Sequence, residues 1–249
     1  AVVSAGCGSE DPAVENDLAD AGGSADGGAA SACDGDGPLL PMAVGNTWTY
    51  KVTNPTSGVS MKTTLVDTME AVGGTGPNAA VMAFHVVTTK TSGAGGDMTE
   101  SWQGVLEDNT VVRYRELAFA AGSTTSNGED HWDPYKLRVD ESPDHVVKGA
   151  TWNEMYMETK IAMGVTAAAA PRNDGWMVVD VDVPCGPVKG KMHACIKLTK
   201  TADGAMAGKT YWYARCVGKV REEGPQTEEL TDYTIKCRVW VTGNTARGQ

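Results

Sequence analysis

The strongest candidate for chemistry in this sequence is a histidine set among acidic residues, in the stretch GEDHWDPY. His131 is flanked by Glu129, Asp130 and Asp133, and an imidazole beside carboxylates can act as a general base or bind a metal ion. Consecutive residues of a strand point to opposite faces, so these four side chains converge only in a special loop. The pattern favours the alternative, a solvated loop that leads into a strand near Tyr135. We therefore treat His131 as a weak metal candidate, and predict no catalytic residue and no cofactor.

Aromatic residues suggest a second kind of site, an apolar pocket on a concave sheet face that would bind an acyl chain or another apolar ligand. The alternative interpretation is a packed core, because a chain with only two Phe must fill its interior with Trp, Tyr and Met. The pattern favours the core over the pocket. The ligand-pocket candidates are Trp212, Tyr211, Tyr213, Trp240, Trp176 and Trp152.

The cysteines are predicted to form disulfides rather than a zinc site, because no C-x-x-C pair is present. Symmetry about a turn between residues 205 and 206 would place Cys195 opposite Cys216. Symmetry about the segment GPQT would place Cys216 opposite Cys237 instead. Four cysteines allow three pairings, and the sequence does not select one of them. We favour Cys195–Cys216 with Cys185–Cys237, which leaves Cys33 without an assigned partner.

These candidates lie in a body whose segments are strands. In NTWTYKVTN the residues Trp48, Tyr50 and Val52 share one face, which is the period of a half-buried strand. Similar segments rich in Thr, Val, Tyr and Trp follow, up to three long strands that include KTYWYARCVGKVREE. We predict an all-β fold, a curved antiparallel sheet of about ten or eleven strands that forms an open barrel or a sandwich. The segment GVTAAAAPRNDG is predicted to be a loop, because Pro171 and polar turn residues follow its alanines.

The acidic character of the chain is concentrated at its start. The formal net charge is -11, but residues 1–37 hold eight acidic residues and no Lys or Arg. The remainder carries 24 acidic and 21 basic residues and is therefore close to neutral. A near-neutral body without clustered cations argues against nucleic-acid binding. No stretch approaches the ~18 apolar residues of a membrane-spanning helix.

The first 37 residues divide into two segments. Residues 7–37 are rich in Gly, Ala, Ser and Asp, and such a segment buries too little apolar surface to fold, so we predict a disordered, flexible tether. The preceding residues VVSAG are small or apolar and end at Cys7, an arrangement that resembles the lipobox of bacterial lipoproteins. In that family the cysteine is lipidated and becomes the new N-terminus. Residues 1–6 would then be a remnant of the signal peptide, and residues 38–249 a single β-rich domain.

The body also carries two longer motifs. The segment PLLPMAVGNTWTYKV is similar to the pattern PL-x-x-G-x-x-W-x-Y, and KTYWYARCVGKV resembles the pattern YW-x-A-x-x-VGKV. Both resemble an uncharacterised family of Gram-negative bacterial envelope lipoproteins, which generally has Gly at the position of Cys216. The resemblance spans residues 38 to about 233. It implies an outer-membrane-anchored lipoprotein that faces the periplasm or the cell surface, and it assigns no activity.

These observations favour a lipid-anchored envelope protein with a non-enzymatic binding or structural β domain. Its partners would be the membrane, through the anchor, and an apolar ligand or an envelope protein. A periplasmic carrier of a lipid or other apolar ligand is the second hypothesis. A hydrolase with an unrecognised site, in which His131 would be the first residue to test, is the third.

Overall fold

A computed structural model describes residues 37–91, 97–203 and 208–236 of the chain. Cys7, Cys33, Cys237 and Trp240, which were singled out above, lie outside these residues. The described chain is almost entirely β-structure, with one short 3-10 helix at Pro143–His145, and none of its helices is long and apolar enough to cross a bilayer. The strands are β1 (Thr47–Asn54), β2 (Gly58–Ala71), β3 (Met82–Thr91), β4 (Asp97–Val105), β5 (Val111–Phe119), β6 (Gly128–Val139), β7 (Thr151–Ala162), β8 (Val165–Thr166), β9 (Ala170–Val188), β10 (Lys191–Thr201), β11 (Lys209–Ala214), β12 (Gly218–Glu223) and β13 (Thr227–Thr234).

The strands form a closed antiparallel barrel. Each long strand pairs with the next one along the chain, β13 pairs with β1, and β7 pairs with both β6 and β9. Twelve strands therefore complete the ring, and the two-residue β8 attaches only to β7. The all-β prediction is confirmed, and the choice it left open between barrel and sandwich is decided for the barrel. Closure removes exposed sheet edges, which would otherwise invite pairing with other chains.

Side-chain alternation divides each strand between the barrel interior and its outer surface. In β1 the predicted inward face of Trp48, Tyr50 and Val52 is confirmed, since all three are buried. In β7 the inward positions Glu154, Tyr156 and Glu158 alternate with the exposed Met155 and Met157. The interior of this barrel is therefore partly polar, and its twelve strands enclose more space than the roughly eight-stranded barrels whose interior is filled by side chains alone.

The two ends of the barrel differ, and we name them by what closes them. The chain enters at the floor end, where Leu39, Leu40 and Met42 are buried beneath the start of β1. The other end, which we call the mouth end, is where β1 meets β2 and where β12 meets β13. The strand ends at Lys90, Asp97 and Lys209 also lie there.

Two segments fold back over the outside of the barrel. The loop between β2 and β3 covers the outer face of β5 and β6, where Asn78 donates hydrogen bonds to the carbonyl oxygens of Trp132 and Pro134. The hairpin of β9 and β10 reaches across β13, and Lys189 there donates to the carbonyl oxygen of Tyr233 and pairs with Asp232. These layers bury parts of the outer surface that strand alternation alone would expose.

The favoured disulfide pairing is wrong, because Cys185 is bonded to Cys195 within the hairpin of β9 and β10. The register of β10 against β11 pairs Ile196 with Tyr213, so Cys195 faces the end of β11 and does not reach Cys216. Cys216 is itself disulfide-bonded, but to neither of these two. The prediction from hairpin symmetry was wrong because the register of β10 against β11 is shifted by two residues from the one that the sequence suggested.

A tight turn explains a second difference from prediction. The segment KTYWYARCVGKVREE is two strands, β11 and β12, and Arg215–Val217 form the turn between them. Cys216 has a φ of 61°, a left-handed conformation that glycine adopts most easily. Gly218 follows with a φ of 106°, and a Cβ there would lie 2.7 Å from Nε1 of Trp48. The predicted loop GVTAAAAPRNDG likewise contains β8 and the start of β9, because pairing with β7 overrides the local turn signals.

Loss of the Cys185–Cys195 bond should destabilise the fold moderately. The bond links two residues with a sequence separation of 10. A disulfide that closes a loop of this size stabilises the folded state by about 2–3 kcal/mol, because it restricts the unfolded chain. We expect the double variant Cys185→Ser/Cys195→Ser to lose about that much free energy of unfolding in urea titrations. A double variant as stable as the unchanged chain would show that the hairpin is held by its packing alone.

Candidate functional site

The barrel encloses a cavity of about 430 Å³ that reaches from the floor end to the mouth end. Leu40, Met42 and Trp48 form its floor, and Lys90, Asp97 and Lys209 are its residues nearest the mouth. This volume falls in the range of about 300–1,000 Å³ that small-molecule sites occupy. The cavity is the best candidate for a functional site in the described chain.

The lining of the cavity is predominantly polar and carries an excess of cations. Six basic side chains face four carboxylates, so the lining is positively charged when all of them are ionised. Three tyrosines, Tyr50, Tyr211 and Tyr213, stand between the charged groups. The basic residues are Lys62, Lys90, Arg113, Arg138, Lys209 and Lys219, and the acidic residues are Asp97, Glu116, Glu222 and Glu228.

Four of these residues form a connected network of ion pairs across β2, β12 and β13. Glu228 pairs with Lys62 and accepts a hydrogen bond from Lys219 at 2.7 Å, and Lys219 also pairs with Glu222. Burial, and next the nearby ammonium of Lys219, lower the pKa of Lys62 to about 7. Burial alone would also lower the pKa of Lys219, but the two carboxylates that it contacts raise it. One carboxylate thus holds two ammonium groups, of which Lys62 is the more easily deprotonated.

Two arginines lie deeper, on the floor side of the cavity. Arg113 pairs with Glu116, and its guanidinium lies 5.6 Å from the ring of Trp132. Among the described residues Arg138 forms no ion pair, although it lines the same cavity. The Nε atoms of both arginines are buried without a hydrogen-bond partner in the described chain. Burial would lower the pKa of Arg138, but nearby tyrosines and glutamates, first among them Tyr213, raise it without an ion-pair contact. Two buried guanidinium groups with one ion-paired carboxylate leave an excess of positive charge, so this part of the cavity favours a negatively charged group.

A second polar cluster lies inside the barrel on β7, β9 and β10, and its groups are satisfied by one another. The ammonium of Lys200 contacts Glu154 at 3.0 Å and Asp174 at 2.8 Å. Trp176 Nε1 donates to Glu154, and the hydroxyl of Tyr156 donates to Asp174. Burial would raise the pKa of Asp174, but the hydrogen bonds that it accepts lower it. Because these groups bind one another, we assign the cluster a structural role.

The predicted aromatic pocket is only partly assembled. Tyr211 and Tyr213 line the cavity, and Trp176 and Trp152 continue the same inner surface as parallel rings 6.0 Å apart. Trp212 faces outward instead, with Lys197 and Arg221 each within about 5 Å of its ring. The lining next to Tyr211 and Tyr213 includes the charged side chains of Arg138 and Lys219.

His131 lies on the outer side of the barrel, away from the cavity. It is buried under the loop between β2 and β3, where a Cβ on Gly76 would collide with its Nδ1. Its Nε2 is 2.7 Å from Glu129, which also pairs with Arg115. The described residues contain no group of three or more His, Cys, Asp or Glu side chains that could hold a metal ion. His131 therefore packs a loop against the barrel and does not face an open cleft.

A separate carboxylate fastens the entering chain to the floor end. Glu141 accepts a hydrogen bond from the backbone N–H of Leu39 at 2.6 Å and lies 3.4 Å from Arg215. Arg215 in turn donates to the carbonyl oxygen of Gly37, and the backbone N–H of Cys216 donates to that of Pro38. Burial raises the pKa of Glu141 to about 7. This clasp links residues 37–39 to the turn between β11 and β12.

The clasp predicts a change of stability with pH near neutrality. A carboxyl whose pKa is higher in the folded chain than its ordinary value of 4.5 binds a proton on folding, so its stabilising effect is complete below pH 4.5 and lost as the pH rises through about 7. We expect the chain to lose on the order of 2 kcal/mol from this group across that window. The variant Glu141→Gln should flatten this part of the profile in urea titrations at several pH values. An unchanged slope would show that another group is responsible.

Sequence reasoning missed the charged residues of the cavity, because a charged residue in an amphipathic strand is normally assigned to the solvent side. One signal was present in β10, where Lys200 shares its face with the buried Ile196 and Leu198. In β2 the polar residues Lys62 and Thr64 face the interior, while the apolar Met61 next to Lys62 is exposed on the outer face. In the first strand a charged residue shares a face with apolar residues, and in the second a methionine occupies the face opposite a lysine. Together these two signals indicate a barrel with a polar interior.

Comparison with known proteins gives no family for the chain. No protein-family model matches it, and no curated protein does. Among solved structures it is similar to a protein of Parabacteroides distasonis described as a lipoprotein, with 11% identity, a TM-score of 0.43, and coverage of 80% of this chain and 99% of the other. It is also similar to a protein of Bacteroides fragilis described as an exported protein with a YmcC-like fold, with 11% identity, a TM-score of 0.42, and coverage of 79% and 98%. Since both TM-scores lie below 0.5, neither likeness carries an argument about this chain.

Proposed function

We propose that the chain is a lipid-anchored cell-envelope protein whose barrel is a non-enzymatic binding module for a small polar molecule. The observation that carries this proposal is the 430 Å³ cavity, which is lined by charged and hydroxyl-bearing side chains and reaches the mouth end. Water-accessible space of this kind inside a barrel suits a ligand that exchanges with solvent. The same polar lining is unfavourable for an acyl chain, which argues against the carrier of apolar ligands.

The anchor part of the proposal depends on the sequence around Cys7 and on one feature of the fold. The Cys185–Cys195 disulfide supports residence in an oxidising compartment, since such bonds are rare in the cytosol of most organisms. The intact mass of the protein, extracted from its native membranes without reductant, tests the anchor directly. A mass that corresponds to cleavage before Cys7 with added acyl groups would support it. An unacylated chain that retains residues 1–6 would overturn it.

The arrangement of the two ends fits this role. The tether would join the barrel at the floor end, where residues 37–43 are packed, and the polar cavity reaches the mouth end on the opposite side. About 30 residues of flexible chain reach roughly 30 Å. Attachment at the floor end therefore leaves the mouth on the far side of the barrel from the anchor, and a tether of this reach would let the mouth face ligands in the surrounding compartment.

Access of a reagent to the cavity tests the binding function. Thr88 lines the cavity and the adjacent Thr89 is exposed on the outer face, so Thr88→Cys and Thr89→Cys form a matched pair. We expect iodoacetamide, a small neutral reagent, to label both under native conditions, with Thr88→Cys no more than about tenfold slower, since the cavity is open to solvent. Peptide mass spectrometry assigns the label, and the unsubstituted chain measures the background. Labelling of Thr88→Cys only after unfolding would contradict an open cavity.

A further inference from the structure

The ligand class follows from the unbalanced charge on the floor side of the cavity. Arg138 lines the cavity without an ion pair in the described chain, and the buried Nε atoms of Arg138 and Arg113 have no hydrogen-bond partner there. Within the described chain, Arg113 forms an ion pair only with Glu116. A guanidinium presents five N–H donors in a planar fork that matches the oxygens of a carboxylate or phosphate. Both side chains therefore keep N–H donors that have no acceptor in the described chain.

We propose that the cavity binds a small organic anion whose carboxylate or phosphate group is held by Arg138 and Arg113 on the floor side. This inference rests on the proposed binding function, because it names the ligand class of the same cavity. The ion-pair network of Lys62, Lys219 and Glu228 lies along the path from the mouth and holds the neutral, hydroxyl-bearing part of the ligand.

The surrounding groups support an anion rather than a cation at this position. Tyr213 lies beside Arg138 and donates its hydroxyl to the Arg138 carbonyl oxygen at 3.1 Å. Burial raises the pKa of Tyr213, so this phenol remains neutral and adds no competing negative charge. Of the other carboxylates of the lining, Glu222 and Glu228 are already paired with lysines, and Asp97 lies at the mouth end, away from Arg138. Among the described residues on the floor side, an incoming cation would find only Glu116, which is already paired with Arg113, whereas an incoming anion finds Arg138.

Three probes of one size test this assignment. Glycerol 3-phosphate and glycerate carry the two candidate anionic groups on the same three-carbon frame, and glycerol is their neutral counterpart. Calorimetry should show binding of at least one anion at least about tenfold tighter than that of glycerol, since charge-assisted hydrogen bonds to a buried guanidinium are strong. Comparison of the two anions shows whether phosphate or carboxylate is preferred.

Variants of the chain locate the site. We expect Arg138→Gln to weaken binding of the preferred anion by about 10–100-fold, and Arg138→Lys to weaken it less, because an ammonium keeps the charge but loses the fork. Glu116→Gln frees Arg113 and should strengthen binding several-fold, which is informative even if Arg138→Gln does not fold. Lys148→Gln removes an exposed cation outside the cavity and should leave the affinity unchanged within about twofold.

The outcomes separate this inference from the function on which it rests. Anion binding that depends on Arg138 and is strengthened by Glu116→Gln supports both. Equal binding of glycerol and the anions, or anion binding unaffected by Arg138→Gln, overturns the anion site and leaves the open cavity standing. If Thr88→Cys is inaccessible to iodoacetamide in the native chain, the binding function itself fails.

Discussion

Replacement of Lys200 by Met should lower the free energy of unfolding by about 3–5 kcal/mol at neutral pH. The Lys200 side chain is 9% exposed, and its carboxylate partners Glu154 and Asp174 are 3% and 1% exposed. Removing the ammonium leaves two buried carboxylates without a cation between them. Urea titration with a spectroscopic readout measures the loss.

The loss should depend on pH with a defined sign. The folded pKa of Asp174 lies below its ordinary value, so its contribution to stability is present above that ordinary value and lost as the pH falls through the folded pKa. The variant forfeits the hydrogen bond from Lys200 that lowers this pKa. The stability gap between the two chains should therefore be widest near neutral pH and narrow under acidic conditions. A gap that widens on acidification would contradict the assignment.

Two further variants provide controls for the Lys200 experiment. Lys191→Met removes an exposed ammonium from the same strand and should change stability by less than about 0.5 kcal/mol. The double variant Lys200→Met/Asp174→Asn should recover part of the loss, since it leaves one buried charge instead of two. Lys219→Met should cost less than Lys200→Met, because Lys62 and Lys209 remain beside Glu228 and Glu222. Equal losses for Lys191→Met and Lys200→Met would refute a specific role for the cluster.

Replacement of Trp48 by Ala should cost about 3–5 kcal/mol and open the floor of the cavity. Trp48 is 2% exposed, and its Nε1–H donates to the carbonyl oxygen of Val217 at 2.6 Å. Its indole also packs against Gly218, where a larger residue would collide with it. The substitution removes a large core side chain and leaves a buried carbonyl without its donor.

The floor experiment needs variants that separate volume from hydrogen bonding. Trp48→Phe keeps most of the ring but loses the donor, and we expect a loss of about 1–2 kcal/mol from the hydrogen bond together with some packing. Thr49→Ala, on the next residue of β1 and the other face, should change stability by less than about 1 kcal/mol. If Trp48→Ala were no more destabilising than Thr49→Ala, the segment around Trp48 would not close the barrel.

Strand content could be predicted because the local pattern is strong. The alternation of Trp48, Tyr50 and Val52 with polar neighbours specifies a half-buried strand without reference to the rest of the chain. Whether the sheet closes depends on the pairing of β13 with β1 and of β6 with β7, and these are contacts between distant segments that no local pattern records. The predicted disulfide pairing was wrong for a related reason, since the register of β10 and β11 is set by packing over the whole sheet.

The site itself was inaccessible to sequence reasoning for a physical reason. Alternation separates two faces of a strand, but it does not say which face is inside when the interior is polar. Lys62, Arg113 and Arg138 look like solvent-facing residues until the barrel closes around them. Conversely, His131 drew attention because its neighbours in sequence are acidic, and the loop between β2 and β3 buries it on the outer surface.

The most direct test of the account is the relative labelling rate of Thr88→Cys by two methanethiosulfonate reagents of similar size and opposite charge. The 2-sulfonatoethyl reagent should react faster than the 2-(trimethylammonium)ethyl reagent by about tenfold, because the cavity lining carries more cations than carboxylates. Thr89→Cys on the outer face supplies the reference ratio, and Arg138→Gln in the Thr88→Cys background should reduce the preference. Equal rates, or a preference for the cationic reagent, would contradict an anion-binding cavity.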